Sequence, residues 1–235
     1  MEMKESIAQG MIFHHYQPIF QLRDNKIFGY EALLRSKRLS TPEDIIQSAL
    51  KENQLYELDT WSIQKAIQTY QFAGYTSRDG KLCINVLLST LLHPKFPNFM
   101  DNVLKRIINQ QIVLEIDDQD MTAEYENIKA VIDYLKKKGI LIAMDYFGGG
   151  IFDFQKVIEI NPNYIKLDRY YSEELNYKSK KQSIVKLLIN YCRKYKLGLI
   201  LEGLESKEEI LFAKSLGVSY GQGFGLAKPD RLKAK

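Results

Sequence analysis

Cysteine is scarce in this chain. Cys83 and Cys192 are the two among 235 residues, too few for a disulfide framework, and both are expected as free thiols, Cys83 in a strand and Cys192 in a helix. Histidine is scarce as well. His14, His15 and His93 stand away from the ends of the apolar runs, and neither cysteine has a partner at zinc-binding spacing. This argues against zinc and leaves the histidines structural roles. No apolar stretch reaches the length of a membrane span, and the opening MEMKESIAQG has no secretory pattern, so a soluble, cytoplasmic protein is expected. Gly148, Gly149 and Gly150 follow Asp145 and do not form the G-x-G-x-x-G turn of a dinucleotide fold. Internal repeats and low-complexity tracts are absent. A net charge of +4 and a pI near 8.8 suit an anionic ligand without by themselves indicating nucleic acid. Many lysines have a local explanation: Lys136, Lys137 and Lys138 precede Gly139 as cations do at a helix end. Lys178, Lys180 and Lys181 open a solvated helical face, and Lys233 to Lys235 form a frayed tail.

What is present is a repeated placement. Six apolar runs end in a polar residue of metal-ligand or proton-transfer type: GYE at Glu31, LCIN at Asn85, IVLE at Glu115, LIAMD at Asp145, YIK at Lys166 and LILE at Glu202. A parallel (β/α)8 barrel assembles its site from the C-terminal ends of its strands, and carboxylates scattered over solvated helices would not show this placement. The length fits one such barrel, so a single domain over residues 1–235 is expected, and 45% hydrophobic residues supply its core without staples.

The elements follow from periodicity and turn chemistry. A lead-in helix is predicted over residues 2–10. HHYQPIFQL and KIFGYEALLR then read as strands joined at Asp24 and Asn25, an antiparallel hairpin unusual for a strict barrel. Thr41-Pro42-Glu43-Asp44 starts a helix, and another covers about residues 54–73. From there, strands near 82–86, 112–116, 140–145, 163–167 and 198–202 alternate with helices near 97–109, 121–138, 152–158, 178–196 and 206–216. A final strand lies around 219–224. The βα order forces parallel pairing, and about eight strands suffice for closure. A doubly wound open sheet is the rival, but it would concentrate its ligands at one crevice.

Glu31, Asn85, Glu115 and Asp145 are oxygen donors of the kind that hard Mg²⁺ or Mn²⁺ prefers. Converging carboxylates raise one another's pKa values, and a bound cation keeps several ionised together. Any one of them alone is an ordinary acid at a strand end; the set is not. Lys166 precedes Asp168 by two residues, so both can share a strand face, and a lysine at the rim of a metal site can hold a water or stabilise a phosphoryl oxygen. Glu202 and Glu205 bracket Gly203, where the backbone can turn. Arg35 has a fork suited to phosphate, although alone it reads as an exposed ion pair.

Taken in order, these motifs resemble the EAL domain family over nearly the whole chain. Glu31-Ala32-Leu33 is the naming motif, continued by Leu34-Arg35. Asn85 in INV, Glu115 in LEID, Asp145 in MDYFGGG, Lys166 and Asp168 in KLD, Glu202 and Glu205 in EGLE, and Gln222 in YGQGFGLAKP match the family's further motifs. The resemblance implies a modified (β/α)8, TIM-like barrel with one antiparallel strand, and hydrolysis of cyclic di-GMP to pGpG by cations that activate a water for in-line attack. It also implies roles. Glu31, Asn85, Glu115 and Asp145 would hold a first Mg²⁺ or Mn²⁺; Lys166 would contact the attacking water; Glu202 and Glu205 would position that water or a second cation. Leu33, Arg35, Asp168 and Gln222 would line the nucleotide site. A homodimer and a protein partner are compatible with it, whereas neither a nucleic-acid polymer nor a membrane is expected as a partner.

Three departures fall on the second-cation loop. Tyr146 stands where the family has a second aspartate, Gly149 where it has threonine, and Asp118 where it has glutamate. A neutral phenol is a poor ligand for a hard cation. One cation site is therefore expected, with the second in doubt. Two functions follow: a phosphodiesterase of low activity, or a catalytically inactive receptor for cyclic di-GMP or protein-interaction module.

Overall fold

Asp24 and Asn25 turn the chain as their chemistry dictates: Asp24 Oδ1 accepts from the Lys26 N–H at 3.2 Å, and Asn25 takes the left-handed φ of 56° that its short side chain tolerates. The hairpin so formed joins β1 (Ile12–Gln21) to β2 (Lys26–Ser36). The computed structural model describes residues 3–107, 111–117, 125–149 and 154–235. After the hairpin come β3 (Lys81–Val86), β4 (Ile112–Asp117), β5 (Leu141–Phe147), β6 (Tyr164–Leu167), β7 (Gly198–Leu201) and β8 (Tyr220–Gly221). The eight close into a barrel in sequence order, with β1 antiparallel to both β2 and β8 and every other pairing parallel. The expected hairpin and single antiparallel strand are both present.

The helices are α1 (Met3–Ala8), α2 (Pro42–Lys51), α3 (Leu55–Phe72), α4 (Leu88–Leu91), α5 (Phe96–Leu104), α6 (Tyr125–Lys137), α7 (Phe154–Ile160), α8 (Ser179–Tyr195) and α9 (Lys207–Leu216). Thr41 and Asp44 cap α2 reciprocally, as do Ser206 and Glu209 for α9, and each box satisfies backbone donors that helix starts leave unpaired. Two boundaries and one short helix differ from expectation. α5 stops at Leu104 rather than 109. The last strand ends at Gly221 because the Gln222 N–H bonds to the Leu201 carbonyl while its own carbonyl accepts from Leu204. The short α4 has too few residues for a period to show. The predicted starts of α6 and α7 lie in part outside the described residues. Lys136 is not merely a solvated helix end: its Nζ donates to the Ile160 carbonyl, 3.3 Å away, and to that of Asn161.

Alternation along the strands sorts side chains into two cores. Leu82, Ile84, Leu114, Ile116, Ile142, Met144, Ile165 and Leu199 face outward under helix residues such as Ile132 and Leu188. Ile19, Phe28, Cys83, Val113, Ala143 and Ile200 fill the inside, with Tyr164 and Tyr220 packed on them. Both cysteines are free and buried. No helix among the described residues is long and apolar enough to cross a membrane. The histidines take structural places: His14 Nε2 lies 2.9 Å from Ser62 Oγ, and His93 stacks on Tyr56.

The inner apolar layer fixes what stands above it. Side chains on a strand repeat every second residue, so on six strands an interior position is followed two residues on by a side chain at the barrel mouth; on β2 a register shift sets Phe28 apart, and Gly29 is the residue two before Glu31. Cys83 leads to Asn85, Val113 to Glu115, Ala143 to Asp145, Tyr164 to Lys166, Ile200 to Glu202 and Tyr220 to Gln222. β1 runs the other way, so Ile19 leads back to Gln17. Gln222 is seated by the glycine after it: a Cβ on Gly223 would stand 2.2 Å from the Leu204 carbonyl oxygen, so only glycine allows this close approach.

Candidate metal centre

At the mouth, the Lys166 ammonium is surrounded by acids. It lies 3.0 Å from Glu115, 3.0 Å from Glu202, 3.2 Å from Glu31 and 3.3 Å from Asp145, and is 1% exposed. Three N–H protons face four carboxylates, so they cannot all be hydrogen-bonded to it at once. Glu31 is further fixed by amides. Asn85 Nδ2 donates to its Oε1 at 3.0 Å and Gln222 Nε2 to its Oε2 at 2.7 Å. Gln222 Nε2 also reaches Gln17 Oε1 at 3.1 Å, and Gln17 in turn donates to the Ala227 carbonyl.

These contacts set the charge states. Burial pushes the Lys166 ammonium down, but Asp145, Glu115, Glu202 and Glu31 outweigh it and hold the group well above its usual value. Burial also raises Glu31, yet Lys166, Gln222 and Asn85 together keep that carboxyl below its usual range. The other acids move the opposite way. Burial lifts Glu115 well up despite Lys166, raises Asp145, and pushes Glu202 to about 8. More negative groups have been gathered than one ammonium neutralises.

A divalent cation fits this excess. Glu31, Glu115 and Asp145 each offer an oxygen, and the three oxygens lie within 4.8 Å of one another. Glu115 Oε1 is buried with no hydrogen-bond donor among the described residues, as a carboxylate oxygen facing a cation would be. The mouth opens into a cavity of about 330 Å³ whose lining includes Glu31, Leu33, Asp59, Asn85, Asp117 and Asp145. Hard cations take such oxygen donors.

The remaining expected residues are spread around this centre. Arg35 is half-buried at the end of β2, with Nη1 donating to the Leu34 carbonyl at 2.8 Å. Asp168 is buried and caps a 3-10 turn (Arg169–Tyr171), accepting from the Tyr170 N–H at 2.8 Å. Glu205 is exposed beyond Gly203, whose left-handed φ of 66° turns the chain, and among the described residues it joins none of the ion pairs of Lys166. Tyr146 is exposed directly after Asp145, and Gly149 lies three residues on. Asp118 lies outside the described residues.

Two residues at the site were not anticipated. Gln17 holds Gln222, and reading the period-two alternation backwards along an antiparallel first strand would have found it. Asp59 sits on α3, lines the cavity and accepts the Leu87 N–H at 2.9 Å, and burial pushes its carboxyl up to about 7. No spacing in the sequence marks it.

The family model described as EAL domain matches residues 2–229. Among curated proteins, the chain is 26% identical over 237 residues to the Escherichia coli protein named "Probable cyclic di-GMP phosphodiesterase PdeG", covering 97% of this chain and 46% of that protein. It is 24% identical over 229 residues to the blue light- and temperature-regulated antirepressor BluF of the same organism, covering 96% of this chain and 55% of BluF. The chain thus spans about half the length of these relatives. Among solved structures, the EAL enzyme Bd1971 with cAMP and cyclic di-GMP bound superposes with a TM-score of 0.88 at 24% identity, covering 97% of this chain and 65% of that one. Klebsiella pneumoniae BlrP1 with manganese and cyclic di-GMP gives 0.86 at 22%, covering 95% and 57%. These likenesses bear on the fold.

Cation binding requires raised carboxyls to give up protons. Calorimetry of Mn²⁺ binding at pH 7 in buffers of different ionisation enthalpy is expected to show release of on the order of one proton, with affinity rising as pH passes upward through about 8, where Glu202 ionises. Identical enthalpies in all buffers together with a pH-independent affinity would count against this electrostatic picture.

Proposed function

The chain belongs to the EAL domain family, and on that premise we propose that it is a metal-dependent phosphodiesterase that opens cyclic di-GMP to pGpG at low turnover. The observation that carries this reading is the Lys166 centre, in which four carboxylates face one ammonium. Glu31, Asn85, Glu115 and Asp145 would hold one Mg²⁺ or Mn²⁺. Asn85 commits its Nδ2 to Glu31, which leaves Oδ1 for the cation. When bound, that cation would ease deprotonation of a water and offset charge on the phosphodiester.

The chain's own groups do the rest. Lys166, held protonated, cannot serve as a base; once a carboxylate turns from it to the cation, it would donate the freed N–H to the attacking water or to a phosphoryl oxygen. Glu202, 3.0 Å from Lys166 and pushed to about 8, would take the water's proton once it has itself ionised, so turnover is expected to rise as pH passes upward through about 8. Glu205 would serve the outer side of the same water or a second cation. Gln222 orients Glu31 from the far side of β1, the strand between β8 and β2. Leu33, Arg35 and Asp168 would bound the nucleotide site. With Tyr146 and Gly149 on the second-cation loop, loss of one stabiliser of the transition state lowers the rate by about 10²–10³ while leaving ground-state binding largely intact.

A second reading rests on the same loop and on BluF, whose name marks it as an antirepressor: the chain binds cyclic di-GMP or a protein partner without turnover. Incubation with cyclic di-GMP and Mg²⁺ or Mn²⁺, followed by product separation, distinguishes the two. Slow appearance of pGpG, abolished in Glu31→Ala, is the expected outcome. Tight binding with no product would establish the nucleotide receptor instead, and neither binding nor product would overturn both the enzyme and the nucleotide receptor.

A homodimer is also proposed. Ile184, Leu187 and Tyr195 form an exposed apolar stripe along α8, and Ile158 of α7 is exposed as well. Phe154 and Tyr195 both pack on Tyr191, which ties α7 to α8. Light scattering on the eluted protein is expected to give a dimer mass that Leu187→Glu reduces to a monomer. A monomeric parent chain would remove this proposal.

A further inference from the structure

We infer that the Tyr146 ring and Gly149 are an interlocked pair that holds a strained turn behind Asp145, and that Tyr146 is a positioning residue acting on that carboxylate through its own backbone N–H. The inference rests on reading the Lys166 centre as a cation site, and it deepens that reading at one ligand.

The strain is local and visible in the pairing. β5 advances from Met144 to Phe147 while β6 advances only from Ile165 to Leu167, so β5 carries an extra residue where Asp145 and Tyr146 stand. Such a bulge re-aims the side chains beside it. Tyr146 takes a left-handed φ of 56° there, a conformation that bulky L-residues rarely adopt. What the turn achieves is a clamp. The Tyr146 N–H donates back to Asp145 Oδ1 at 2.8 Å, which leaves Oδ2 pointed at Lys166, 3.3 Å away. One carboxylate oxygen is tied to the backbone and the other is presented to the centre.

Something must hold a tyrosine in that turn, and the residue three places on supplies it. The Gly149 N–H donates to the Tyr146 carbonyl at 3.0 Å, and the ring lies over Gly149 so closely that a Cβ there would stand 2.3 Å from Cε1 and 2.6 Å from Cδ1. Gly149 is not among the residues of positive φ, so it is the seat of the Tyr146 ring, and not backbone conformation, that leaves room for glycine alone at this position. The neighbouring Gly148 is covered in the same way by Tyr171, whose Cε2 would lie 2.6 Å from an added Cβ. Two rings thus pack on two successive glycines.

The two departures from the family pattern at these positions are therefore one linked change. A threonine at 149 would displace the ring of Tyr146 from the place it holds here, and an aspartate at 146 would leave the space over Gly149 unfilled. Replacing Tyr146 alone does not rebuild the loop.

The test compares the parent chain with Gly149→Ala, Tyr146→Gly, Tyr146→Ala and the double variant Tyr146→Gly with Gly149→Ala. Two quantities are read: the melting temperature without metal, and the dissociation constant for Mn²⁺ alone. Gly149→Ala drives the ring from its seat and is expected to lower the melting temperature by about 2–4 °C and to weaken Mn²⁺ about tenfold, as loss of a ligand's supporting hydrogen bond does. Tyr146→Gly adopts the turn freely and keeps the N–H, so it retains Mn²⁺ affinity, whereas Tyr146→Ala, without the ring or that freedom, loses it. In the Tyr146→Gly background, Gly149→Ala is expected to be silent in both measurements. Equal effects of Gly149→Ala in the two backgrounds, or none in the parent, would overturn the interlock. Equal Mn²⁺ affinities for Tyr146→Ala and Tyr146→Gly, or no Mn²⁺ binding by the parent, would overturn the positioning role. Neither readout involves nucleotide, so these failures are distinct from a failure to bind or hydrolyse cyclic di-GMP.

Discussion

One buried ammonium organises the mouth of this barrel. Lys166 comes from the end of β6, and the acids that face it come from β2, β4, β5 and β7. Without a positive charge at that point, carboxylates so close together and so far out of water would be forced to take up protons. With it, Glu31 is held below its usual range, while Glu115, Asp145 and Glu202 stay raised and must release protons before a divalent cation can take their oxygens. The ammonium and the cation thus act on the same charge excess, the ammonium permanently and the cation on binding.

The barrel makes this gathering possible because its interior is layered. Apolar side chains at one level, such as Val113 on β4 and Ile200 on β7, place polar ones two residues on at the next. A slip of one residue in any strand would turn its mouth residue outward into the helix layer and an outer apolar residue into the site. The antiparallel β1 preserves the arrangement while reversing its order in sequence, and so contributes Gln17 through the face that also carries Ile19.

That reversal marks the boundary of what the amino-acid string reveals. Glu31, Asn85, Glu115, Asp145, Lys166 and Glu202 were legible because each closes an apolar run, and because parallel strands put the ends of such runs on one side. Gln17 was not, because it precedes its apolar neighbour. Asp59 was hidden in a helical stretch, where an acid ordinarily faces solvent; only the packing of α3 against the turn after β3 buries it. Glu205 shares a motif with Glu202, yet the turn at Gly203 carries it to the exposed side. The bond from Tyr146 to Asp145 depends on a bulge and a ring-on-glycine contact, neither of which has a periodic signature.

The dependence on Lys166 is tested most directly by thermal unfolding of Lys166→Met at pH 8, with and without Mn²⁺. Removing one partner from a buried ion-pair cluster is expected to lower the melting temperature by about 10 °C in metal-free buffer, and saturating Mn²⁺ should restore much of that loss by supplying positive charge to the same carboxylates. A metal-free variant that melts where the parent does would contradict the account.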